Sequence, residues 1–517
     1  MAEHSKGFRG FRPCGYRISA CFPNVGLGRF KGLVSTTFIF FTIILIAALV
    51  NIWTDINVIQ DYSIFQLISA PSRNNTKRHH ERIEFSLNCS EPGSPQKCLE
   101  TYPTSSFEPD ESSSKTCPDY FRWIQEDLKQ WKSSGITEEM IERGKPFAHF
   151  RLVVVEGKAY VEKYRKPYQT RDVFTIWGIL QLLRLYLGKV PDLDLMFNCE
   201  DKPVILKRDY QGPNVTSPPP VFHYCADKDS LDIVFPDWTF WGWAEVNIMP
   251  WENMLSAIKK GRQRTKWEDR VPYAYWRGNP SLSVGRKELL KCNLSNNHDW
   301  NVRIYRQDWR KQSKEGFKNS KLEDQCTHRY KIYIEGRAWS VSEKYILACD
   351  SMTLVVKPKY YDFFSRSMVP LHHYWPIRSN SICKDVKFAV EWGNNHTEKA
   401  RAIGKAGSKL MEEFLAMKNV YDYMFHLLKE YAKILKYKPK IPPNAKLVCE
   451  ETMACSEEGL VKKLMEQSMV KSPSHKLPCS LPPQYEPHHI QSLLATNEDI
   501  TRQVETWGDE YWRQQRK

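Results

Sequence analysis

The chain has 517 residues, of which 13% are aromatic, and carries a formal charge of +15. That length exceeds one hydrophobic core and predicts two or three domains. The charge raises nucleic acid or an acidic membrane as partners, but about a third of it lies in a short tail without base-stacking or groove-reading motifs, which excludes nucleic acid as the expected partner.

In that tail, residues 1–32, Lys6, Arg9, Arg12, Arg17, Arg29 and Lys31 face Glu3 alone. Gly32 to Trp53 then carries no charge, and roughly 20 apolar residues match the hydrocarbon core of a bilayer. A basic flank before the span predicts a signal anchor at 33–53, with the tail cytosolic and the rest of the chain lumenal. A cleaved signal peptide is the rival, but its apolar region is normally about 7 to 15 residues and ends in small residues. Here the span is longer and ends Leu-Val-Asn-Ile-Trp.

Residues 54–116 are polar and irregular, as in RNNTKRHHER and TSSFEPDESSSK, and read as a stem. Of the 14 Cys, Cys14 and Cys21 precede the span, and the even number that follows permits full pairing in an oxidising lumen. Cys89 with Cys98, Cys292 with Cys326 and Cys449 with Cys455 are candidate pairs by nearness in sequence, other connectivities staying open. The absence of C-x-x-C argues against a structural zinc site. Sequons at Asn74, Asn88, Asn214, Asn293 and Asn395 are candidate N-glycosylation sites.

The folded part is expected from Cys117. Asp119–Ser133 and the stretch from Thr137 have helical spacing, the second with a capping-box pattern. Phe150–Val155 and Lys158–Tyr164 alternate around Glu156-Gly157 and predict a hairpin. Thr175–Tyr186 reads as an amphipathic helix and Leu195–Asn198 as a short buried strand. Cys199-Glu200-Asp201-Lys202-Pro203 follows at once. A carboxylate just past the carboxyl end of a strand stands where open α/β sheets keep their chemistry, although acidic residues before Pro also make plain turns. Asp192-Leu193-Asp194 matches the D-x-D of metal-dependent transferases, but it precedes an apolar strand without a set of metal ligands, so no metal is expected there.

Trp238, Phe240, Trp241 and Trp243 fall beside a turn. Such a cluster either packs a core or offers a platform to a sugar ring. Next, AYW runs into Arg277-Gly278-Asn279-Pro280, and the helix expected near Val284 opens with Arg286. Gly permits close backbone approach and two Arg bracket a helix start, an arrangement shaped for a diphosphate or else an ordinary exposed turn. Arg329–Pro358 reads as strand, Glu335-Gly336 turn, short helix capped by Ser340 or Ser342, and strand. That is a nucleotide-binding half-unit in pattern, without G-x-G-x-x-G or a Walker motif. His372-His373 is expected to pack or cap. Glu398–Met417 and Val420–Tyr437 show helical spacing and should pack across both domains; the chain from Pro439 carries no readable chemistry.

The blocks FNCEDKP, FPDWTFWGW, YWRGNPSLSVGRKELL, RYKIYIEGRAWSVSEKYILACDSMTLVV and YYDFFSRSMVPLHHYWPI keep one order over about Cys117 to Tyr437. Together they resemble the Rumi-type protein O-glucosyltransferase family, which also holds fungal capsule-associated xylosyltransferases; EGRAWSVSEKYILACDS is similar to its plant branch. The resemblance implies an α/β, GT-B-like fold of two facing Rossmann-like domains, 117–265 on the acceptor side and 266–437 for the nucleotide-sugar with crossover helices. A single transmembrane helix would precede them and an extension, 438–517, would follow. It also implies a UDP-sugar donor, transfer of glucose or xylose to a hydroxyl on protein or polysaccharide, inversion, and no metal or other cofactor. The implied location is the Golgi membrane in type II topology, or the endoplasmic reticulum.

Residue by residue, Asp201 matches the family's catalytic aspartate, and Arg277, Gly278 and Arg286 match the block that faces the nucleotide-sugar. Asn279, Gly336, Arg337, Ser340, Ser342 and Lys344 complete the expected donor set, and Trp238, Trp241 and Trp243 the platform. Ser342 stands where animal members carry a phosphate-binding Arg, so Arg337 or Lys344 is expected to neutralise the diphosphate. The segment from Arg277 to Arg286 is one residue longer than in animal members. The alternative, a membrane-anchored carbohydrate-binding or scaffold protein without turnover, would be expected to lose Asp201 or Arg277, and both are present.

Overall fold

The computed structural model describes residues 83–90, 95–98, 115–212 and 216–516. The expected membrane span and the sequons at Asn74 and Asn214 lie outside the described residues. Among the described residues no helix is long and apolar enough to cross a membrane. The sequon residues Asn88, Asn293 and Asn395 are all exposed.

Two sheets organise the fold. In the first, β1 (Phe150–Val155) and β2 (Lys158–Lys163) form the expected hairpin. Glu156 and Gly157 at its tip take φ of 50° and 75°, the left-handed pair that a tight two-residue turn requires. β1 also pairs antiparallel with β3 (Leu193–Phe197), while β4 (Val221–His223) and β5 (Ile233–Val234) continue parallel to β3. Between β2 and β3 runs the helix Arg171–Leu185, and it corrects the amphipathic expectation. Phe174, Ile176, Trp177, Ile179, Leu180 and Leu182 are all buried, on faces all round the helix, as in a helix enclosed by core.

The second sheet is wholly parallel, with β6 (Val271–Gly278), β7 (Val302–Arg306), β8 (His328–Tyr333), β9 (Met352–Val356) and β10 (Trp375–Ile377) in the order β7-β6-β8-β9-β10. The chain moves outward from β6 to β7, then returns across β6 to β8. The order therefore reverses between β6 and β8, and doubly wound sheets bind ligands at the carboxyl ends that flank such a switch point.

The helices Ile382–Asn395 and Thr397–Phe414 cover the second sheet, and Met417–Lys433 crosses back to the first. Tyr431 there donates to the Asp194 carbonyl at 2.9 Å, and Asp422 accepts from Tyr186. The C-terminal stretch is structural: β11 (Lys446–Val448) pairs antiparallel with β2, and the long helix Pro487–Gln514 returns to the second sheet, where Tyr511 meets Phe388 at 5.4 Å.

Among the described residues the disulfides are Cys89–Cys455, Cys98–Cys449, Cys117–Cys479, Cys292–Cys383 and Cys326–Cys349. None of the three nearest-in-sequence pairs forms. Cys449 and Cys455 flank the helix Glu450–Ala454 at opposite ends, which keeps their side chains apart. Two bridges tie 89 and 98 to the C-terminal stretch, and buried Phe85 donates its N–H to the Lys471 carbonyl at 2.7 Å. The last part of the expected stem is thus fastened to the folded body, which begins before Cys117.

Candidate active site

β3 ends at Phe197, and the next residues fix the loop that carries Asp201. Asn198 accepts from the Glu200 N–H at 2.8 Å and donates to the Phe147 carbonyl at 2.6 Å, a side-chain turn that sends the chain out at the sheet edge. Asp201 keeps 34% of its side chain exposed and accepts from Arg171 Nη2 at 3.0 Å. Glu200, also at the rim, lies 3.4 Å from His149 Nε2. Burial, aided by Arg165, lowers the His149 pKa. At the end of β4, burial pulls His223 down to about 4, so its imidazole is neutral near pH 7.

Asp237 accepts from the Thr239 N–H at 2.8 Å and starts the turn Trp238–Phe240. Trp238 and Trp243 meet edge to face at 5.2 Å and both line the cleft. Trp241 does not, which corrects the three-Trp platform. Its indole is fully buried, donates to Tyr421 Oη at 3.0 Å and lies over Gly178, where a Cβ would stand 2.4 Å from the ring.

Across the cleft, β6 delivers Arg277, Gly278 and Asn279 to the switch point. Arg277 donates to Gln307 Oε1 at 2.6 Å, and Asn279 accepts from the Ser281 N–H at 2.9 Å. Arg286 is buried. It donates to the carbonyls of Glu335, Asn279 and Ile334 and to Ser340 Oγ at 3.0 to 3.2 Å. Burial lowers the guanidinium to about 10, leaving it cationic at neutral pH, and among the described residues no carboxylate pairs with it. Gly336 lies beside it: a Cβ there would be 3.5 Å from Arg286 Nη2. Ser340 and Ser342 hydroxyls share a hydrogen bond of 2.9 Å, and exposed Arg337 stands at the rim.

Two expectations change here. The helices Val284–Leu290 and Ser342–Leu347 have 7 and 6 residues, too few for much macrodipole; Ser283 caps the first, while the second starts after Val341 without the side-chain cap expected from Ser340 or Ser342. Lys344 is not brought to the cleft. It is 2% exposed and donates to Asp237 at 3.0 Å and Thr239 at 2.7 Å, bridging the second sheet's helix to the first sheet's Trp loop.

The cleft encloses about 790 Å³ and is lined from both sheets, by Asp201, Trp238 and Trp243 on one side and Arg277, Asn279, Arg286, Gly336, Arg337, Ser340 and Ser342 on the other. Gly278 lines it too. That is the size of an ordinary small-ligand site. A more open recess of about 700 Å³ shares Glu200, Asp201, Gly336 and Arg337 with it, so Asp201 stands where the two meet. Sequence reading missed Arg171, Gln307, Lys331 and Trp339, all of which line the cleft. For Lys331 there was a signal: a lysine set in the alternating strand RYKIYI.

The D-x-D carboxylates lie at the other end of β3. Asp194 is buried in a bidentate pair with Arg151 at 2.7 and 2.6 Å, and Asp192 accepts from the Glu156 N–H at 2.8 Å. Among the described residues the one grouping close enough to share a cation is Cys117, His426 and Cys479, whose two sulfurs are bonded to each other. His373 accepts from the Val369 N–H at 2.9 Å, and burial lowers it to about 4.

The sequence model of glycosyl transferase family 90 matches residues 112–508. The chain is 27% identical over 359 residues to an O-glucosyltransferase rumi homolog of Aedes aegypti, covering 65% of this chain and 82% of that one. It is 25% identical over 360 residues to O-glucosyltransferase rumi of Drosophila melanogaster, covering 67% and 83%. Protein O-glucosyltransferase 1 of Homo sapiens is 25% identical over 347 residues, covering 63% and 82%.

Proposed function

The chain belongs to glycosyl transferase family 90, and from that membership we propose that it is a UDP-sugar-dependent, inverting O-glycosyltransferase with a GT-B-like arrangement of its two sheets. The observation that carries this reading is the opposition, across one cleft, of a partly exposed carboxylate just past the end of β3 and two arginines at the switch point of the parallel sheet. In the reaction the acceptor hydroxyl oxygen bonds to the anomeric carbon from the side away from UDP, while its proton passes to Asp201. The bond from that carbon to the β-phosphate oxygen breaks, and the electron pair leaves with UDP. Attack from the far side inverts the anomeric centre. Arg277 and Arg286 balance the phosphate charge in this reading, so a divalent ion is not required.

Glucose is the favoured donor sugar and a protein hydroxyl the favoured acceptor, because the relatives are named as O-glucosyltransferases, one of them of proteins. Xylose and a polysaccharide acceptor are the second choices. The five disulfides among the described residues fit an oxidising lumen, and a type II anchor at 33–53 would place the enzyme in the Golgi or endoplasmic reticulum.

The test is calorimetry of UDP on the purified full-length chain and on Arg277→Ala. A charge-assisted contact to phosphate contributes about 1.5 to 3 kcal/mol, so affinity should fall by about tenfold or more. Equal affinity in the two proteins removes Arg277 from the donor site.

A further inference from the structure

Asp201 owes its placement to a residue thirty positions earlier in the chain. Arg171, at the start of the buried helix Arg171–Leu185, sends Nη2 to Asp201 Oδ1 at 3.0 Å and Nη1 to the Cys199 carbonyl at 2.9 Å. One planar group therefore grips both the backbone that leaves β3 and the carboxylate two residues later, a double contact that a point-charge cation cannot copy. The guanidinium is itself fixed, 4.6 Å over the Trp238 ring and 5.3 Å over the Tyr168 ring. Among the described residues no other group donates to the Asp201 carboxylate, and Oδ2 accepts no hydrogen bond.

Packing alone does not account for Arg171. It is buried, yet among the described residues its Nε has no hydrogen-bond partner, and its only ionic partner there is partly solvated. An apolar side chain would fill the same space without those costs. What the guanidinium adds is direction.

We propose that Arg171 is a positioning residue that holds Asp201 by Oδ1 and so presents Oδ2 to the acceptor hydroxyl. This rests on the reading of Asp201 as the general base. The proton goes to Asp201, and Arg171 takes no part in the bonds that form and break.

A double-mutant cycle tests it, using Arg171→Gln, Asp201→Asn and the pair in the full-length chain. The readouts are kcat for UDP release from UDP-glucose in the presence of a hydroxyl acceptor that the parent glycosylates, UDP affinity by calorimetry and the thermal midpoint. Arg171→Gln should lower kcat by about tenfold to a hundredfold while UDP affinity stays within about twofold. In the Asp201→Asn background the same change should cost less than about threefold, because there is no longer a base to aim. Arg171→Lys, which keeps a cation but meets only one of the two acceptors, should give an intermediate kcat and serves as the second variant if Arg171→Gln does not fold. An equal loss in both backgrounds, or parent-like kcat in Arg171→Gln and Arg171→Lys, overturns the positioning role and leaves the base intact. Parent-like turnover by Asp201→Asn alone would remove the base and this role with it.

Discussion

Lys331 shows how one side chain in this cleft departs from its behaviour in water. It is 4% exposed on β8, and its Nζ donates to Cys349 Sγ at 3.3 Å and lies 5.4 Å over the Tyr275 ring. Burial, followed by the nearby Arg270 charge, pulls the amine down from 10.5 to about 7. Between those two values the unfolded chain holds a proton that the folded protein lacks, so stability rises with pH across that window. It falls as pH drops toward about 7 and levels off below. Lys331→Met should therefore raise the thermal midpoint most at pH 6 to 7, with a gain that shrinks toward pH 10. Thermal scans over that range check this, and a gain independent of pH would show that the charge is not the cost. The alternation of RYKIYI set this lysine on a strand, but a period of two cannot say which face fronts a cleft and which fronts a helix.

At the scale of elements, the helix Ser342–Leu347 and the Trp loop act as one unit. Lys344 reaches across to Asp237 and Thr239, both buried, where the sequence suggested a phosphate contact. Removing one partner of a buried ion pair leaves the other charge uncompensated, at a cost of about 3 to 5 kcal/mol. Lys344→Met should lose stability on that scale, and adding Asp237→Asn should restore much of it, as chemical denaturation would show. If Lys344→Met were as stable as the parent and bound UDP much more weakly, Lys344 would return to the donor site. Elements with strong local signals were legible: the Glu156-Gly157 hairpin, β8 and β9 all stand where alternation and turn residues put them. What sequence could not separate was Trp238 from Trp241. They sit on one short turn, and only the fold shows that Gly178 opens a slot for the second while the first faces Arg171.

Over the whole molecule, the cleft is made by residues far apart in sequence, Asp201 from one sheet and Arg277 and Arg286 from the other, and contacts of that kind are set by topology. The positions of Asp201 and Arg277 at strand ends were readable from buried runs that stop at polar turns. The buried anchoring of Arg286, the role of Arg171 and the disulfides that join 89 and 98 to 455 and 449 were not, because each depends on a partner that only the fold brings near. Among these residues Asp201 carries the proposed chemistry. Asp201→Asn is nearly isosteric and keeps a hydrogen-bond acceptor for Arg171, but it cannot take up the proton of the acceptor hydroxyl. With the full-length chain, the proposed UDP-sugar donor and a hydroxyl acceptor that the parent glycosylates, kcat should fall by about 10² to 10⁴, while UDP affinity and the thermal midpoint stay at parent values. Transfer by Asp201→Asn at near the parent rate would rule out Asp201 as the general base.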